Sequence, residues 1–340
     1  MKKIIIPVIV GPTASGKTSL SIKLAKKISG EIISADSMQI YKKMDIGTAK
    51  VKEIEKEDIN HYLIDIINIE DKYSVSDFVF DAKKAIIQIL KNNHTPIIVG
   101  GTGLYVNSLI YGYDFEETNK EDLEKFRLEL DKKLETGEET LETLYEKAKQ
   151  IDQEASSKIS AKDKKRIYRI LEMYYILKDT KTNIDKKRRE IKYKTLIIGN
   201  EKVCIEYMVF NIVQERQFLY NIINQRILEM IEEGLIEEVS EILKELRKKN
   251  INVLDTTSMQ AIGYKEVVEY LNNDITKEEM IEKLCKDTRH YAKRQITWFK
   301  RLKKIDLDYT KLAEVEQREI PKIKEELDTK YIELMIRSIG

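Results

Sequence analysis

Gly11-Pro12-Thr13-Ala14-Ser15-Gly16-Lys17-Thr18 stands between the apolar run of residues 4–10 and a helical pattern over residues 19–28. The spacing GxxxxGK[ST], after a strand and before a helix, is that of a phosphate-binding loop. Glycines at both ends let the chain curl so that successive N–H groups point inward, and the positive end of the following helix adds to their pull on an anion. Lys17 is placed to reach a terminal phosphate. Thr18 offers a hydroxyl to Mg²⁺, an ion that favours a few protein oxygens plus substrate phosphates. Kinases, NTPases and diphosphate-using transferases share such a loop, so it points to a ligand class and not yet to a reaction.

Outward from it, short Ile- and Val-rich runs at residues 31–35, 62–66 and 96–99 alternate with helical patterns such as residues 76–90. This alternation predicts an α/β fold, a parallel sheet wrapped by helices, with ligands gathered at the carboxyl ends of the strands. The loops at residues 11–17, 36–39 and 100–103 all fall at those ends. The core is expected to occupy residues 1–111 and, mostly as helices, residues 191–310. Residues 112–190, long charged segments rich in Lys, Glu and Leu, read as an all-helical insertion domain, and residues 311–340 as a peripheral helical tail.

Net charge excludes little: 60 Lys and Arg against 59 Asp and Glu give +1. Its distribution says more. Residues 114–147 carry 13 acidic and 6 basic side chains, residues 158–189 carry 12 basic and 4 acidic, and residues 286–304 carry 8 basic and one acidic. Such runs suit either a solvated helix face or a surface for an anionic polymer. Cys204 and Cys285 lack the spacing of a metal site or disulfide framework, and His61, His94 and His290 lack ligand spacing too. Met1-Lys2-Lys3 and the apolar run after it resemble a signal peptide, but the phosphate loop follows at once, and no run approaches the 18 or so apolar residues of a membrane span. A cytoplasmic monomer with no membrane contact is the expectation.

The second loop, Asp36-Ser37-Met38-Gln39, presents a carboxylate towards the phosphate loop. Asp36 is a candidate proton acceptor, although an aspartate before a serine in a loop also suits a helix cap or Asx turn. In the third loop, Gly100-Gly101-Thr102-Gly103, Thr102 is the side-chain donor among glycines that let backbone approach a ligand.

Together these pieces resemble the tRNA dimethylallyltransferases, the isopentenyltransferases that modify adenosine 37 beside the anticodon. The resemblance rests on GPTASGKT from Gly11, ADSMQIYKKMDIGTAK from Ala35, HYLID from His61, YSVSDF from Tyr73 and VGGTGLY from Val99. It continues through NQRILEMIEEGLIEEV from Asn224, AIGYKE from Ala261 and TRHYAKRQITWFKR from Thr288. It implies that Gly11, Pro12, Thr13, Ala14, Ser15, Gly16, Lys17 and Thr18 hold the diphosphate of dimethylallyl diphosphate, with Mg²⁺ on Thr18. Asp36 would accept the proton of adenine N6, Arg226 would clamp the diphosphate from the other side, and Thr102 would contact the leaving oxygen or the RNA. Contacts to the anticodon stem-loop would come from Asp36, Ser37, Met38, Gln39 and Thr102, and from Arg127, Lys165, Arg166 and Arg169 in the insertion. Lys165 stands where the family carries Gln, which keeps a phosphate donor but removes an amide able to read a base edge. The stretch at residues 200–212 is longer than the family pattern.

The nearest rival is an isopentenyltransferase acting on free adenine nucleotides, which needs no extended RNA surface. A P-loop NTPase or kinase holding ATP would call for an apolar strand ending in a Mg²⁺-binding Asp, which is not evident. A non-catalytic RNA-binding module leaves the phosphate loop without a purpose.

Overall fold

The computed structural model describes residues 2–111, 120–190, 194–198 and 201–340. They fall into two compact units, Met1–Ile110 with Tyr193–Gly340, and Tyr111–Lys192.

The first unit begins with strand β1 (Lys3–Val10), helix α1 (Lys17–Ile28), β2 (Gly30–Ser34), the short α2 (Glu53–Lys56), β3 (His61–Tyr62), α3 (Val75–Lys91), β4 (Thr95–Gly100) and α4 (Gly103–Tyr111). β1, β2 and β4 are buried along most of their length, as strands covered on both faces must be. β3 stops after two residues because Leu63 and Asp65 adopt left-handed backbone angles that end the extended run predicted to residue 66. α3 is started by a reciprocal cap between Ser74 and Asp77.

The second unit contains α5 (Lys120–Glu135), α6 (Leu141–Ile151), α7 (Gln153–Ser156), α8 (Lys164–Tyr175) and α9 (Lys181–Glu190). Its small core joins Leu130, Leu144, Ala148, Ile167, Ile170 and Leu171. The side chain of Asp152 caps α7 and also accepts from Thr182 at the start of α9.

The chain then returns through β5 (Lys194–Ile198), β6 (Glu201–Val213), α10 (Arg216–Glu232), α11 (Leu235–Lys248), α12 (Tyr264–Leu271), α13 (Lys277–Phe299), β7 (Ile305–Asp308) and α14 (Ile320–Ile339). Among the described residues one sheet runs β3-β2-β4-β1-β6-β5, with β7 also on β6; the pairs are parallel except β5 with β6.

The stretch at residues 200–212, longer than the family pattern, forms β6 and pairs with β1 from Lys3↔Cys204 to Val10↔Asn211, although Asn200 lies outside the described residues. Glu206 and Tyr207 in mid-strand hid its buried ends. The C-terminal helix is not peripheral. Tyr331, Ile332 and Met335 pack with Leu20, Ile22 and Leu24 of α1. Buried Asp328 accepts hydrogen bonds of 2.8 Å from Tyr309, Lys23 and Lys324, which fastens α14 to α1 and to the chain after β7. Gly263, with a positive φ of 101°, separates a 3₁₀ turn at Ser258–Gln260 from α12.

Candidate active site

A cleft of about 1240 Å³ opens at the carboxyl ends of β1, β2 and β4, lined by the phosphate loop, Asp36, Gln39, Gly100, Gly101 and Arg226. The place is dictated by the winding: helices cover both faces of a parallel sheet, so the strand ends are where loops can converge on a ligand.

The phosphate loop leaves β1 at Gly11 and enters α1 through Gly16, whose backbone is left-handed at φ 87°, a conformation that favours glycine. No side chain caps this helix start, and its first turn carries no acid. The leading amides are therefore available to an anion. Lys17 Nζ donates to the Pro12 carbonyl at 2.6 Å, so its ammonium is held over the loop. Burial is the main reason its pKa falls to about 7; Asp36 pulls it up and Arg226 pushes it further down. Although the side chain is only half-covered from solvent, the protein atoms packed round it decide its charge. Arg226, on α10, faces the same cleft, and burial lowers its pKa against the opposing pull of Asp36. Lys17, Arg226 and Asp36 thus feel one another's charge.

Asp36 forms the Asx turn that its place before a serine suits. Its Oδ1 accepts from the amides of Met38 at 2.9 Å and Gln39 at 3.4 Å, an Asx turn that fixes the carboxylate. Among the described residues Oδ2 accepts no hydrogen bond, so one oxygen stays available for a proton. The second and third loops are pressed together: the Ala35 amide donates to the Val99 carbonyl at 2.7 Å and the Thr102 amide to the Ala35 carbonyl at 3.2 Å. Thr102 Oγ1 accepts from the Ser37 amide at 3.0 Å and lies 3.3 Å from Ser37 Oγ. Ser37 and Thr102 are therefore one unit beside Asp36.

Gln39 and Met38 are more committed than the sequence implied. The Gln39 side-chain oxygen accepts from Ser34 Oγ, and its nitrogen donates to the carbonyls of Thr48 and Ala49. Met38 packs against the core cluster that contains Tyr41 and Met44. The segment around Gly47 is held by Glu238, whose carboxylate accepts from the amides of Asp45, Ile46 and Gly47 and from the Tyr264 hydroxyl.

Tyr291 and Gln295 of α13 face the site too, although the sequence assigns neither a role. Burial pushes the Tyr291 phenol pKa up, the charge of Asp36 adds to this, and the side chains of Thr102 and Gln295 oppose it. Gln295 accepts from the Thr13 amide at 2.8 Å and donates to the Gly101 carbonyl at 3.1 Å. The available signal was helical spacing: positions 291 and 295 share a face, and a Gln on an inward face is unusual. On the same helix Trp298 abuts Gly103, Phe299 is buried, and Arg289 donates to Asn224 at 2.7 Å.

In the second unit, α8 carries Lys165 and Arg166 exposed on its first turn, with Arg166 3.2 Å from Asp163. Arg127 of α5 and Arg169 of α8 converge on one carboxylate, Glu172, at 2.5 and 3.2 Å. Glu172 is 1% exposed, so the two arginines are oriented from beneath by a buried partner.

Thr18 lines the cleft at the start of α1. Among the described residues no three His, Cys, Asp or Glu side chains are grouped to hold an ion. Thr18 offers a hard hydroxyl oxygen, which suits a Mg²⁺ ion completed by phosphate and water. No helix among the described residues is long and apolar enough to cross a membrane.

The IPP transferase family model matches residues 39–302. A tRNA dimethylallyltransferase of Thermoanaerobacter sp. (strain X514) is 47% identical over 300 residues, covering 87% of this chain and 88% of that protein. One from Clostridioides difficile (strain 630) is 44% identical over 331 residues, 96% of this chain and 100% of the relative. Among solved structures, a tRNA delta(2)-isopentenylpyrophosphate transferase of Staphylococcus epidermidis superposes with a TM-score of 0.61 at 37% identity, over 96% of this chain and 99% of its own. A eukaryotic dimethylallyltransferase acting on tRNA gives 0.73 at 27% identity, over 92% and 75%. With three loops converging on one anion-binding cleft and relatives alike over nearly its whole length, the chain belongs to the IPP transferase family.

Proposed function

We propose that this chain transfers a dimethylallyl group from dimethylallyl diphosphate to N6 of adenosine 37 in tRNAs that read codons beginning with U, and releases diphosphate. The observation that carries this reading is the meeting in one cleft of two desolvated cations, Lys17 and Arg226, and a carboxylate, Asp36, with one oxygen unengaged.

The donor's diphosphate sits on the uncommitted amides where the loop of residues 11–18 enters α1, between Lys17 and Arg226. Thr18 would hold a Mg²⁺ ion, which would supply positive charge towards the departing diphosphate. The allylic C–O bond breaks, its electron pair leaves with the diphosphate, and the N6 lone pair forms the new C–N bond. Oδ2 of Asp36 accepts the N6 proton, with Oδ1 anchored so that the carboxylate keeps its aim. Thr102, fixed by Ser37, contacts the leaving oxygen or the RNA.

A base stacked in an anticodon loop cannot reach this carboxylate, so the adenine is extruded into the cleft. Arg127, Lys165, Arg166 and Arg169 bind backbone phosphates of the anticodon stem-loop, supplying affinity and register more than sequence choice. The protein acts as a cytoplasmic monomer.

The test is to incubate the protein with Mg²⁺, dimethylallyl diphosphate and either unmodified tRNA or AMP, then weigh the nucleosides. Prenyl-adenosine in the tRNA arm alone is expected. Prenylation of AMP at an equal rate would move the acceptor to free nucleotides, and hydrolysis of ATP with no prenylation would favour an NTPase.

A further inference from the structure

We propose that Gln295 is a positioning residue for this reaction: one buried amide spans the phosphate cradle and the Thr102 loop and fixes the distance between donor and proton acceptor. The proposal rests on the donor reading of the cleft. Gln295 lies on α13, is 3% exposed, and touches two loops that leave different strands. Its Oε1 accepts from the Thr13 amide at 2.8 Å, and its Nε2 donates to the Gly101 carbonyl at 3.1 Å. The amide's orientation follows from chemistry, because only its oxygen can accept an N–H and only its nitrogen can donate to a carbonyl.

The fit is close on the Gly101 side, where a Cβ would lie 2.2 Å from Gln295 Nε2. The backbone of the third loop therefore comes right up to the amide, and the glycine at 101 is a condition of the bridge. One turn earlier on α13, the Tyr291 phenol interacts with Thr102 and feels the charge of Asp36, so a single helix face serves both sides of the reaction centre. If the bridge is cut, the cradle and the Ser37–Thr102–Asp36 group can each keep its own local hydrogen bonds while the spacing between them drifts. Loss of spacing harms an aligned displacement far more than it harms RNA docking.

Gln295→Met removes both bonds at similar volume. Gln295→Glu keeps the acceptor for Thr13 but, while ionised, sets a second acceptor against the Gly101 carbonyl; once protonated it can donate there again. Kinetics with dimethylallyl diphosphate and tRNA, between about pH 6 and 9 with melting temperatures alongside, separates the possibilities. In Gln295→Met the donor KM should rise and kcat should fall by about tenfold each, from loss of two buried hydrogen bonds, while the tRNA KM stays within about twofold. Gln295→Glu should show the same loss at high pH and recover part of it as the pH falls, because burial raises a carboxyl pKa. Wild-type kinetics in both variants overturns the proposal, as does a pH-independent loss that only follows the fraction folded. Failure of the unmutated protein to prenylate tRNA would instead overturn the donor reading itself.

Discussion

The cleft and the helical insertion handle positive charge in opposite ways. In the cleft, Lys17 donates to a backbone carbonyl and has no ion pair among the described residues, while burial lowers its pKa and that of Arg226. In the insertion, Arg127 and Arg169 are already paired with Glu172 and Lys164 with Asp131, while Lys165 stays exposed. A compact diphosphate is best met by cations whose desolvation has been borne in the fold, so that the ligand's arrival restores their charge. An RNA backbone spreads its phosphates widely and, on the proposed reading, would be met by pre-aimed guanidiniums whose net charge is moderated by a carboxylate.

The sharpest way to break this contrast is Asp36→Asn, which should lower kcat by about 10²–10⁴-fold through loss of the proton acceptor. Its tRNA affinity, read by filter binding, should stay within about threefold of wild type; undiminished turnover would remove Asp36 from its role. Next comes Lys17→Met, with an expected loss of about 10²–10³-fold in kcat/KM for the donor, the scale of one preorganised charge at a developing oxyanion. An equal effect on tRNA KM would contradict the division of labour.

A pH effect follows from the same lysine. Burial lowers the Lys17 pKa to about 7 in the free site, and on the proposed reading a bound diphosphate would raise it again. Binding above pH 7 must therefore take up a proton, and donor affinity should fall with rising pH, by at most about tenfold per unit. Calorimetry in buffers of different ionisation enthalpy would detect the uptake, and Lys17→Met should abolish it.

Smaller effects belong to the insertion. Glu172→Gln, which loosens two arginines without removing them, should weaken tRNA binding by about three- to tenfold, the worth of one charge-assisted hydrogen bond, and leave the donor KM unchanged. Lys165→Ala should reduce the salt slope of tRNA binding by about one, with little change in kcat.

The phosphate loop, the alternating strands and the strand-end placement of Asp36 and Thr102 were legible because each is local: a glycine pattern, a run of Ile and Val, a loop between two periodic segments. What escaped was set by distant partners. β6 reads as polar-aromatic because Glu206 and Tyr207 interrupt it, and only its pairing with β1 makes it a strand. α14 looks like a surface helix until Asp328 finds Lys23 and Tyr309. Gln295 and Glu172 are polar residues in helices, and their use depends on which loop or arginine the fold brings to them. Gln39, expected at the RNA, already spends its amide on Ser34, Thr48 and Ala49.

The most direct test is a crystal structure with an unreactive analogue of dimethylallyl diphosphate and an anticodon stem-loop. The diphosphate should lie on residues 11–18 between Lys17 and Arg226, with the extruded adenine N6 about 3 Å from Asp36 Oδ2, within hydrogen-bond reach. A diphosphate bound away from that loop, or a purine whose N6 is far from the carboxylate, would contradict the account.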